Sequence, residues 1–233
     1  MKDKVRILGR ETIAWAKQGA LMMRGRRPRR FVPGEGRRVV VFVHGFGATG
    51  PVFEPMRNHV EERLGFVTLD FTYGSLTSFT RVADDLAHFL ERTAGVVAGQ
   101  DATFDLVGHS LGGLLARWYL QEMGGAERVE RLVTLATPHA GTRSARIAPG
   151  PLRRALLPGN DVIQRLHRGR HRAQDVAHTA LVAGADLMVT PPASAAALEG
   201  ADVHWFDDVG HNGMLFDTGV LEAVVDALVQ PAA

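Results

Sequence analysis

Five consecutive apolar residues, Val39-Val40-Val41-Phe42-Val43, constrain the fold more than any other feature of the chain. A strand turns alternate side chains to opposite faces, so a run that is apolar at every position needs cover on both. Further short runs occur at Phe66–Leu69, Thr103–Val107, Val129–Leu135, Thr179–Ala183 and Val203–Phe206. Between them, amphipathic stretches near Pro55–Leu64, Thr80–Val97, Leu111–Met123 and Val220–Val229 read as helices. Strands alternating with helices predict an α/β fold: a compact, mostly parallel sheet of about six strands flanked by helices. A chain of 233 residues, 45% of them hydrophobic, can bury such a core as one domain. Its lack of cysteine excludes a disulfide scaffold, a thiolate zinc site and a cysteine nucleophile.

Charge divides the chain. Residues 1–38 carry 12 Lys or Arg against three acids, whereas the remaining 195 residues carry 15 against 22. The expected division is therefore a basic N-terminal arm, residues 1–36, and a domain over residues 37–233. Arg6, Arg10, Glu11 and Lys17 interrupt any apolar core a secretory signal would need, so a cytoplasmic location is expected. Three readings of the arm are open: a helix lying on the domain, an interfacial helix touching anionic membrane through residues 1–30, or a nucleic-acid contact. The arm's few aromatics and the acidic body place nucleic acid last, and none is expected as a partner. Removing residues 1–30 is expected to leave turnover of a small soluble ester intact.

Residues 142–177 break the strand–helix rhythm with Pro-Gly turns, Leu156-Leu157 and a basic tail through His171 and Arg172. An insertion at the carboxyl end of a strand borders the crevice of an α/β sheet, so a helical lid is expected, with a long crossover as the alternative.

The strongest local signal is Gly108-His109-Ser110-Leu111-Gly112, directly after one apolar run and opening an amphipathic stretch. A nucleophilic serine raised on a tight strand-to-helix turn needs small residues two before and two after it. Attack on a carbonyl also needs two backbone N–H donors for the oxyanion. Leu111, at the start of a helix, supplies one, and Phe46, in Val43-His44-Gly45-Phe46-Gly47, supplies the other. His44 is read as a brace of that loop, with general base as its rival role.

Of ten histidines, His211 best fits the base, because Gly210-His211-Asn212-Gly213 follows the last run and its small neighbours free the ring. Asp186 ends the run before it and is the expected acid, with Asp207 and Asp208 as competitors beside the histidine. Met188, Leu215 and Phe216 flank these positions and are expected to touch the substrate.

The order Ser110, Asp186, His211, together with His44-Gly45-Phe46 and Thr137-Pro138-His139-Ala140-Gly141-Thr142, resembles the bacterial triacylglycerol lipases and esterases of the α/β-hydrolase superfamily. The resemblance covers about residues 37–230. It implies a carboxylic-ester or lipid substrate, an acyl-enzyme intermediate and no cofactor. Calcium-holding relatives carry an aspartate two residues after the histidine; here that position is Gly213, and no metal is expected. Acyl transfer, thioester cleavage and a non-catalytic binding role on the same fold stand as alternatives.

Overall fold

The computed structural model describes residues 2–24, 38–94 and 103–231. The stretch 25–37, read as a linker, and the end of the helical stretch at Val97 lie outside these residues. Six strands form one sheet: β1 (Val39–Val43), β2 (Val67–Phe71), β3 (Phe104–His109), β4 (Val129–Leu135), β5 (Ala177–Ala183) and β6 (Asp202–Phe206). Their order is β2-β1-β3-β4-β5-β6 and every pair is parallel. The α-helices are α1 (Lys2–Arg24), α2 (Glu54–Leu64), α3 (Phe79–Phe89), α4 (Leu111–Glu122), α5 (Asp161–Arg168) and α6 (Thr218–Val229).

Strand β1 shows why its sequence is apolar throughout. Val39, Val41 and Val43 enter the core layer shared with α3 and α4, while Val40 and Phe42 enter the opposite layer with α2 and α6. Local chemistry sets the helix ends. Ser78 accepts from the Arg81 N–H at α3, Asn160 from Val162 and Ile163 at α5, and Asp217 from Gly219 and Val220 at α6. Gly65, with φ 68°, terminates α2.

The register brings the carboxyl ends of the strands to one edge: Val43 lies beside Gly108, Gly108 beside Thr134, and Leu135 beside Leu181. Connections leave β1 and β3 in opposite directions along the sheet, which makes their carboxyl ends the crevice of such a fold.

The insertion is packed onto the domain. Leu152, Leu156, Ile163 and Leu166 are buried in the same layer as α3 and α4. Arg117 of α4, itself 1% exposed, donates to the Leu166 carbonyl at 3.2 Å. Arg165 and Arg172 both pair with Glu122 at the end of α4, and Arg165 lies over the Trp118 ring. Between Thr142 and Ala177 the chain is thus held at its centre against α4, with an exposed turn around Ile147 and Gly150. Gly150 approaches the Ser75 carbonyl in the β2–α3 loop.

Candidate active site

Ser110 sits between β3 and α4 with φ 54° and ψ −121°. Only a tightly packed turn holds a serine there. A methyl on Gly112 would lie 2.0 Å from the Val43 carbonyl oxygen, and one on Gly108 would lie 2.5 Å from Gly113 Cα. These glycines let α4 press against β1 and β3, and the Ser110 N–H donates to the Leu135 carbonyl at 2.8 Å. The loop after β1 crosses directly above: a methyl on Gly45 would come 3.0 Å from Ser110 Cβ.

That loop is fixed by His44. Its ring stacks on Tyr73 at 4.1 Å, and its Nε2 accepts from the Tyr73 N–H while Nδ1 donates to the Gly45 carbonyl at 2.8 Å. Tyr73 Oη in turn donates to the His44 carbonyl. Both ring nitrogens are engaged, so His44 braces the loop. The Phe46 N–H has no hydrogen bond among the described residues, and Leu111 opens α4, where an N–H lacks an intrahelical acceptor. Leu111 follows Ser110 directly, and Phe46 follows Gly45, the residue whose added methyl would meet Ser110 Cβ.

His211 and Asp186 meet. His211 Nδ1 donates to Asp186 Oδ2 at 2.8 Å, and both residues are buried. Asp186 Oδ1 accepts from the Met188 and Val189 N–H groups, which fixes the carboxylate in its turn. Burial alone would lower the His211 pKa, but the Asp186 charge and hydrogen bond, with the charge of Glu11, outweigh it and hold the pKa above the ordinary histidine value. Asp208, a competitor for the acid, instead pairs with Arg6 at the surface, 2.6 Å away. No hydrogen bond joins Ser110 Oγ to His211 among the described residues, and such bonds often tighten only with substrate bound.

Sequence reasoning missed four supporting residues. His109, next to Ser110, bonds the His211 carbonyl through Nε2 at 3.1 Å, tying the two loops together. Burial, then the nearby His211, keeps its pKa well below normal, so it is a neutral donor. His139 accepts from Arg117 through Nδ1 and donates to Thr134 through Nε2; burial and the Arg117 cation hold it neutral as well. Thr142 binds the Met188 carbonyl and accepts from Thr190, so the Thr137–Thr142 stretch clasps the acid's turn. The fourth is Glu11 of α1, whose carboxylate bonds Asn212 and Gly213 and seats that helix on the histidine loop.

Two expected substrate contacts need correction. Leu215 is fully buried in the layer with α6 and has no surface to offer. Phe216 lies under Lys17 of α1 and lines a cavity of about 270 Å³ between α1 and the loop. Both follow His211 closely in sequence, but the Gly213–Leu215 turn directs their side chains to other partners. Met188 is 38% exposed and stays at the rim. No His, Cys, Asp or Glu group suited to a metal occurs among the described residues.

Comparison with known proteins agrees with this architecture. The structure is similar to Aspergillus fumigatus lipase B, with a TM-score of 0.75 and 18% identity over 89% of this chain, which spans 56% of the fungal protein's length. It is also similar to the mature Bacillus licheniformis lipase BlEst2, with a TM-score of 0.66 and 16% identity, over 85% of this chain and 96% of that one. A carboxylesterase of Nitrososphaera gargenis aligns with a TM-score of 0.59 and 11% identity, over 84% and 91% of the two chains. These identities speak to the α/β-hydrolase fold. The sequence pattern of one family matches residues 39–195, from the first strand past the expected acid, and on that match the chain belongs to the palmitoyl protein thioesterase family.

Proposed function

We propose that the protein is a serine acyl hydrolase that cleaves carboxylic esters and thioesters of apolar acyl chains. The observation that carries this reading is the buried Asp186–His211 pair, 2.8 Å apart, on a loop tied through His109 to the strained Ser110 turn. In the proposed cycle His211 Nε2 takes the Ser110 proton as Oγ attacks the carbonyl carbon. The N–H groups of Phe46 and Leu111 hold the resulting oxyanion. Collapse breaks the C–O or C–S bond, and the imidazolium returns the proton to the leaving alkoxide or thiolate. Water, deprotonated by the same histidine, then releases the acid and regenerates Ser110.

The apolar chain is argued from the rim. Leu76, Ile147 and Leu187 are 91%, 89% and 70% exposed, and all three lie on loops at the carboxyl edge of the sheet. Leu76 neighbours Ser75, whose hydroxyl accepts from the Gly47 N–H beside Phe46. Leu187 follows Asp186 directly. Solvent-exposed leucine and isoleucine grouped around a polar centre suit a substrate with a hydrocarbon tail. The family match adds the thioester as a leaving-group class.

Helix α1 extends the proposal to a surface. Leu8, Trp15 and Met23 of this helix are large apolar side chains exposed to solvent. Arg10 and Lys17 are exposed on the same helix, so peripheral contact with an anionic bilayer is the partner we assign to α1. No helix among the described residues is long and apolar enough to cross a membrane.

The test is covalent labelling by a fluorescent alkyl phosphonate, with wild type and Ser110→Ala side by side. Labelling of the wild type alone is expected. Acyl thioesters and oxygen esters of matched chain length then rank the two leaving groups by kcat/KM. Folded wild type that resists short and long probes would overturn the reading in favour of a binding protein on this fold.

A further inference from the structure

One side chain carries helix α1 to the histidine loop. The Glu11 carboxylate accepts three hydrogen bonds from the two residues after His211: the Asn212 N–H at 2.8 Å, Asn212 Nδ2 at 3.0 Å and the Gly213 N–H at 3.1 Å. The two backbone donors open the Gly213–Leu215 turn, where first N–H groups lack partners of their own. On the other side of the histidine, a methyl on Gly210 would lie 2.4 Å from Glu11 Oε2. The carboxylate thus touches the loop both before and after His211. Three donors converging on one half-buried carboxylate form the stronger, charge-assisted kind of hydrogen bond.

The rest of α1 keeps Glu11 in place. Ala14 and Gln18, one and two turns on, are buried against the domain, and Arg6 and Arg24 pair with Asp208 and Glu54. Nothing in the proposed cycle uses Glu11, yet no other described side chain binds the N–H groups that follow His211.

We infer that Glu11 is a positioning residue for His211, fixing loop 210–213 from α1 so that the ring keeps its place on Asp186. The inference rests on the reading of Ser110 and His211 as nucleophile and base. A mere tether for α1 would bind anywhere on the domain. This carboxylate instead spans the one loop whose small shifts change the base's alignment, and misplacement by about 1 Å can cost on the order of a hundredfold in rate.

Charge gives a second readout. Facing His211 are Asp186 on Nδ1, Glu11 behind the loop and the His109 ring at 4.7 Å, with His44 beyond His109. Arg10 and Lys17 of α1, with Asp208 and Asp217, line the cavity on the loop's outer side. Glu11 is the carboxylate behind the loop that favours the imidazolium. Loss of its charge lowers the His211 pKa, keeps the base neutral to lower pH and moves the acid limb of kcat/KM downward.

The experiment compares wild type, Glu11→Gln, Glu11→Asp and Asn212→Ala as full chains, by turnover of a short soluble thioester over pH and by phosphonate labelling. Glu11→Gln keeps the shape but sets an amide donor against the loop's donors. It is expected to lower kcat about ten- to a hundredfold with little change in KM, and to shift the acid limb to lower pH. Glu11→Asp keeps the charge and loses reach, so kcat falls while the limb stays. Wild-type kcat and an unmoved limb in Glu11→Gln would overturn the role of Glu11 alone. Wild type that neither labels nor turns over would overturn the hydrolase reading beneath it. Should Glu11→Gln fail to fold, Glu11→Asp and Asn212→Ala decide: lowered kcat supports the role, and wild-type kcat in both overturns it.

Discussion

Ser110 occupies a conformation that costs a non-glycine residue about 1–3 kcal/mol, and its neighbours are what hold it there. Gly112→Ala would drive a methyl into the Val43 carbonyl, so α4 must move and carry the Leu111 N–H with it. A stability loss of at least about 1–3 kcal/mol in urea unfolding is expected, with activity falling further than stability accounts for. Asp186→Asn removes the acceptor that fixes the His211 tautomer and is expected to cost roughly 10⁴ in kcat, whereas Asp208→Asn, which loses only a surface pair, should change it little. Equal losses in the two variants would disprove the assignment of the acid. The His211 pKa, raised by Asp186 and Glu11 against the effect of burial, is expected to move the acid limb of kcat/KM upward from the ordinary histidine value. By linkage, the same shift contributes stability that is fully present below the unfolded pKa of about 6.5 and lost as pH rises through the folded value. Spacing was enough to nominate Ser110, Asp186 and His211. Leu215 and Phe216 were misjudged because closeness in sequence to His211 says nothing about where a turn sends each side chain.

At the scale of elements, Val39–Val43 was legible because burial on both faces leaves no polar position, and the structure shifts the boundaries of the other strands by no more than two residues. The packing of the insertion was not legible. In sequence, Leu152, Leu156, Ile163 and Leu166 could line a lid or a core equally well; in the structure they are buried, and their segment is tied to α4 by Arg117, which resembles an ordinary surface position. It is buried without a carboxylate partner among the described residues, and burial pushes its pKa down to about 10. Its donors go instead to the Leu166 carbonyl and to His139, linking nucleophile helix, insertion and the Thr137–Thr142 stretch. Arg117→Ala empties a core site and strands both acceptors, so a loss of about 3 kcal/mol is expected. Amide exchange should quicken across residues 161–168 before it does in β3 and β4. Unchanged exchange in that helix would show that its apolar side chains alone hold the crossover.

The whole molecule joins a basic arm to an acidic domain, and α1 has two kinds of contact to offer. Glu11 reaches the loop of His211, while Leu8, Trp15 and Met23 are exposed to solvent. Charge counting marked out the arm and offered a helix lying on the domain, but composition reports how many basic residues a segment holds and not which single acid among them turns inward. The two roles can be separated experimentally. Replacing Leu8, Trp15 and Met23 together by serine removes exposed apolar surface and leaves Glu11 in place, so the fold and turnover of a short soluble thioester should persist. Binding to anionic vesicles should fall, since each buried methylene contributes about 0.8 kcal/mol to insertion and the remaining cations act only by screened attraction. Glu11→Gln should do the reverse, keeping vesicle binding and losing turnover. Undiminished vesicle binding by the triple variant, measured by co-sedimentation at physiological salt, would mean that α1 meets no bilayer through these side chains and serves the histidine loop alone.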